Sequence, residues 1–147
     1  MHSPILISAC LLGICCRYDG RGNACEAALK LLERDGITLI PVCPEQLGGL
    51  PTPRTPSERQ GLLVMNKAGE DVTCQFRRGA EESLRIARLY GCQRAILKER
   101  SPSCGCGKIY DGSFSGKLAD GDGMTAELLR REGIAVYGES QISDILG

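Results

Sequence analysis

Ile5-Leu6-Ile7-Ser8-Ala9-Cys10 and Ile37-Thr38-Leu39-Ile40-Pro41-Val42-Cys43 are two short apolar runs, and what lies between them decides the fold. Each has the pattern of a strand buried on both faces. From about Ala24 to Arg34, the residues Ala24, Ala27, Ala28, Leu31 and Leu32 recur at helical spacing. Glu26, Lys30, Glu33 and Arg34 lie opposite them, and Gly36 is the stop. Strand, helix and strand predict a βαβ unit with parallel strands and a right-handed crossover.

The alternation continues outward. Phe76, Ala80, Leu84 and Ala87 predict a helix ending at Tyr90-Gly91, and Ala95-Ile96-Leu97 reads as a third strand. A helix from about Met124 to Arg131 precedes a fourth, Ile134-Ala135-Val136-Tyr137. The fold class that follows is α/β: a small three-layer, Rossmann-like domain with a mainly parallel four-stranded sheet, expected order 2-1-3-4. Two stretches interrupt it. Residues 46–72 suggest a hairpin insertion at about 60–73 over the sheet edge, and residues 101–123 read as a long Gly/Ser-rich loop. We expect residues 1–147 to form a single domain.

Composition narrows the chemistry. With 42% apolar and 24% charged residues, 147 residues can bury a core without disulfides or a structural metal. The nine cysteines, about 6% of the chain, fall below the density of a disulfide scaffold. Eighteen basic and eighteen acidic residues cancel, which disfavours a nucleic-acid or membrane partner. No run is long enough to span a bilayer, and the first residues lack the pattern of a signal peptide, so we expect a cytoplasmic protein. The one histidine is His2, at the chain end, which leaves proton transfer to carboxylates and hydroxyls.

Cys10 and Cys43 end the first two strand segments, and Cys104 follows the third in Ser101-Pro102-Ser103-Cys104-Gly105. The carboxyl ends of parallel strands point to one side, so these three thiols should converge on one crevice. Three convergent thiols without histidine suit an iron-sulfur cluster, a reactive or sensing cysteine, or simple packing. Cys25, Cys74 and Cys92 fall in or beside helices, as packing cysteines do. Glu45, two residues after Cys43, is a candidate general base or acid, and Pro102 stiffens the loop presenting Ser101 and Ser103. Arg54 reads as a surface contact or an anchor for a polar substrate. Arg17-Tyr18-Asp19-Gly20 and Ile109-Tyr110-Asp111-Gly112 read only as favoured turns.

Ser8-Ala9-Cys10-Leu11-Leu12-Gly13, Arg17-Tyr18-Asp19-Gly20, Val42-Cys43-Pro44-Glu45, Gly48-Gly49-Leu50, Ser101-Pro102-Ser103-Cys104-Gly105 and Ile109-Tyr110-Asp111-Gly112 occur in that order. Together they resemble the thiouracil desulfidase family from about residue 5 to residue 140. The resemblance implies a [4Fe-4S] cluster on Cys10, Cys43 and Cys104, with Glu45 and Ser101 catalytic. We add Ser103 as a hydrogen-bonding member of the catalytic set, and Cys16 and Cys106 as reserve ligands. The implied reaction converts thiouracil and water to uracil and hydrogen sulfide without net electron transfer. The competing readings are a non-catalytic cluster or thiol redox sensor, and a desulfidase of a thiolated nucleoside.

Overall fold

The structure is a computed structural model that describes residues 3–146; His2 lies outside them. In chain order the elements are β1 (Ser3–Ser8), α1 (Glu26–Leu31), β2 (Ile37–Val42), α2 (Pro44–Leu47), β3 (Ser57–Gln60) and β4 (Leu63–Asn66). There follow α3 (Thr73–Tyr90), β5 (Arg94–Leu97), β6 (Lys108–Tyr110), β7 (Leu118–Asp120), α4 (Met124–Arg131), β8 (Ala135–Gly138) and α5 (Ile142–Leu146). The main sheet has the order β2-β1-β5-β8, with every neighbouring pair parallel. That is the expected 2-1-3-4 order of the four core strands.

Alternation along β1 builds two cores. Ile5 and Ile7 face one side with Ala28, Leu31, Ile96 and Ile142, whereas Leu6 joins Leu84, Ala87, Leu97, Ala126 and Leu129 on the other. The sheet is therefore sandwiched between α1 with α5 and α3 with α4. All of these side chains are nearly inaccessible to water, and each fully buried Leu or Ile contributes about 1.5–3 kcal/mol of transfer free energy.

Several boundaries differ from the sequence reading. β1 ends at Ser8, because Ala9–Leu12 turn as a 3-10 helix that carries Cys10. α1 is shorter than Ala24–Arg34: Cys25 is an extended N-cap, and the residues after Leu31 tighten into i→i+3 bonds such as Glu33 N–H to the Lys30 carbonyl. The hairpin pairs Ser57–Gln60 with Leu63–Asn66 and packs Val64 against Val72 and against Phe76 of α3. Residues 101–123 are not a plain loop, since β6 and β7 pair antiparallel within them.

Helix α2 lies directly on α3. A Cβ at Gly48 would stand 1.9 Å from the Gln75 carbonyl oxygen, and one at Gly79 would stand 1.9 Å from that of Pro44. Only glycine permits this backbone contact, which fixes the segment carrying Glu45. Gly79→Ala should lower unfolding free energy by about 2–3 kcal/mol through overpacking, measurable as a lower urea midpoint.

Candidate active site

The carboxyl ends of β1, β2 and β5 open into a cavity of about 510 Å³. Cys10 enters from the 3-10 turn after β1, Cys43 from the junction of β2 and α2, and Cys104 from the loop after β5. Cys16 joins them. Its backbone carbonyl lies 3.6 Å from the Cys43 thiol, and its own thiol contacts those of Cys10 and Cys43. Cys106 does not line this cavity; its sulfur faces the Val136 carbonyl and Arg130. Of the two reserve thiols, only Cys16 is at the site.

The loop that presents Ser101, Ser103 and Cys104 is seated on the start of α4. Met124 N–H donates to the Pro102 carbonyl at 2.9 Å, and Thr125 N–H to that of Ser103 at 2.8 Å. A Cβ at Gly123 would sit 2.5 Å from the Ser103 carbonyl carbon, so glycine lets the helix start approach this closely. The first-turn amides of α4, unpartnered within the helix, thus hold the loop that carries Ser101, Ser103 and Cys104.

A hydrogen-bonded chain crosses the cavity wall. Ser103 Oγ donates to Glu45 Oε2 at 2.9 Å and lies 2.9 Å from Ser101 Oγ. Ser101 Oγ also accepts the amides of Ser103 and Cys104, both at 3.1 Å. Its two acceptor sites and its proton are therefore all engaged. Glu45 retains free acceptor positions, because each carboxylate oxygen carries two lone pairs.

Arg54 is neither a surface contact nor a free anchor. Its Nε donates to Glu45 Oε1 at 2.9 Å, and its Nη2 donates to the Cys16 carbonyl at 2.9 Å. Nη1 reaches Thr52 Oγ1 at 2.9 Å and the Pro51 carbonyl at 3.2 Å. The two charged side chains are only 6% and 15% exposed. Only the short Glu45-to-Arg54 spacing hinted at this pair. Tyr18, Tyr110 and Phe114 also line the cavity, a placement their turn motifs did not reveal.

Burial pushes the Cys104 thiol up to about 12, against weaker hydrogen bonds from Ser8 and Ser103. The adjacent Cys16 thiol, followed by burial, raises Cys43 well above the ordinary thiol range. Cys10, Cys16, Cys43 and Cys104 are the thiols gathered at this edge of the sheet. As donors they form an all-sulfur set without imidazole, and that set suits iron-sulfur chemistry. Among the described residues, no three Cys, Asp, Glu or His side chains close around a single ion.

Fold and cavity together define a Rossmann-like α/β protein with a thiol-lined crevice and a carboxylate–hydroxyl chain at the carboxyl edge of its sheet. The chain belongs to the 2-thiouracil desulfurase family, whose model matches residues 5–141. It is 45% identical to a solved structure described as the [4Fe-4S]-dependent thiouracil desulfidase TudS. That likeness covers 98% of this chain and 95% of the other, with a TM-score of 0.91. The uncharacterized protein YbbK of Bacillus subtilis (strain 168) is 43% identical over 152 residues, covering 97% of this chain and 99% of YbbK.

Arg54→Met should lower unfolding free energy by about 3 kcal/mol, the cost of leaving one partner of a buried ion pair uncompensated. Arg54→Lys should recover only part of this in urea unfolding, because an ammonium cannot reproduce the guanidinium fork.

Proposed function

We propose that this protein is a [4Fe-4S]-dependent thiouracil desulfidase that converts thiouracil and water to uracil and hydrogen sulfide. The observation that carries the reading is the shared cavity: Cys10, Cys43 and Cys104 line the same space as Glu45, Ser101 and Ser103. Cys10, Cys43 and Cys104 would hold the cluster, with Cys16 beside Cys10 and Cys43. A bound cluster would supply a thiophilic Lewis acid for the thiocarbonyl sulfur.

The chain's own groups handle the water and its protons. Glu45, with its spare acceptor positions, orients the attacking water and takes a proton as it adds to the ring carbon. Arg54 and Ser103 fix the two carboxylate oxygens, so that the base meets the substrate in one orientation. Ser101 holds the Ser103 and Cys104 amides and so ties the base to a cysteine ligand. The proton taken by Glu45 returns to the departing hydrosulfide. No electrons are exchanged: the C=S double bond is replaced by a C=O double bond, water supplies the oxygen, and both of its protons leave on hydrogen sulfide.

The balanced charge supports a free small-molecule substrate, without a nucleic-acid or membrane partner, for the whole chain acting as one desulfidase domain. No helix among the described residues is long and apolar enough to cross a membrane. Nine free thiols support a reducing, cytoplasmic setting.

Anaerobically prepared protein should carry about four irons and release sulfide from thiouracil without added reductant. A colourless, iron-free preparation that still released sulfide would overturn the cluster assignment. Cys10→Ala, Cys43→Ala and Cys104→Ala should each lose iron, whereas Cys106→Ala should keep it. Glu45→Gln should retain iron while its turnover falls by about 10²–10⁴-fold, as measured by sulfide release.

A further inference from the structure

The chain has four tyrosines, two phenylalanines and no tryptophan. Phe76 is core, but Tyr18, Tyr110 and Phe114 line the cavity. Phe114 is the most distinctive of them. It is the one apolar side chain in Gly112-Ser113-Phe114-Ser115-Gly116, is half-buried, and joins none of the three apolar clusters among the described residues. Packing does not account for its position.

Its backbone is held at φ 57°, in the left-handed region that bulky residues avoid. The restraint comes from β3. Glu58, buried at 9% exposure, accepts the Gly112 and Phe114 amides on Oε1 at 3.0 and 3.1 Å. Gln60 Nε2 donates to the Gly112 carbonyl at 2.8 Å. Gly112 itself has φ 94°, and a Cβ there would stand 2.7 Å from Gln60 Cγ and 3.0 Å from the Arg59 carbonyl oxygen. A buried carboxylate and a close backbone approach thus keep one aromatic ring beside a cavity in a conformation it would not choose. Such conformations persist where the surroundings over-determine them, typically at ligand sites.

We propose that Phe114 is the stacking residue for the planar ring of a thiolated heterocycle, with Glu58 its positioning residue. The proposal rests on the desulfidase reading and deepens it, by naming what selects a flat ring over an open-chain thiocarbonyl. An aromatic face binds any planar heterocycle through its π surface and gains little from a small acyclic thioamide. Thiouracil should therefore bind far better than thiourea, and Phe114 should supply much of that difference.

The test uses anaerobic, iron-loaded protein, with thiouracil and thiourea as probes. Binding is read by calorimetry and turnover by sulfide release. Phe114→Ala should raise both Kd and KM for thiouracil about ten- to hundredfold, the worth of one ring stack, with kcat and iron content changed far less. Discrimination against thiourea should shrink by the same factor, and Phe114→Tyr, which keeps a ring, should restore it. Glu58→Ala should weaken binding in the same direction, with rescue by Glu58→Gln, which keeps an accepting oxygen for both amides. Unchanged thiouracil binding in Phe114→Ala, or a variant that loses iron, would overturn the assignment. A wild type that binds no thiouracil would overturn it as well. Binding that depends on Phe114 without sulfide release would instead sink the desulfidase reading and uphold the stacking role.

Discussion

Parallel pairing of β1 with both β2 and β5 is the constraint on which the site depends. Parallel neighbours cannot be joined by tight turns, so each strand's carboxyl end opens onto the same edge, and its connection must leave from there. Cys10, Cys43 and the Ser101–Cys104 loop all occupy those departures. An antiparallel partner for β1 would send one of these segments to the opposite edge.

Convergence supplies the thiols, but a second set of contacts gives them reactive neighbours. Glycines at 48 and 79 let α2 lie on the backbone of α3, and Gly123 lets α4 start against the Ser103 carbonyl. These approaches bring Glu45 and Ser103 within hydrogen-bonding distance across 58 residues of sequence. Arg54 then neutralises the carboxylate and ties it to the Cys16 carbonyl. A carboxylate as little exposed as Glu45 would, without that charge, face a desolvation penalty of several kcal/mol. Glu45 and the thiols are therefore parts of one network.

Much of this is written locally. The apolar runs at Ile5, Ile37, Ala95 and Ile134, the helical spacing between them and the cysteines that follow the first three were enough to place the sheet and its three strand-end thiols. Boundaries shifted where caps and short turns intervened, as at Cys25 and Ala9, because periodicity does not register a one-residue change in backbone conformation. The hairpin is seated where Val64 and Val72 find Phe76, a contact between segments that no local pattern specifies.

By itself the sequence determined strand and helix order, the absence of a usable histidine base, and the set of thiols and hydroxyls available for chemistry. Tertiary structure alone decided which spare cysteine joins the site, admitting Cys16 and turning Cys106 toward Arg130. It alone converted Arg54 into the partner of Glu45 and brought Phe114 to the cavity on the carboxylate of Glu58. Periodicity reports which face of an element is buried. The direction in which a loop side chain points depends on distant amides and carboxylates that meet only after the chain has folded.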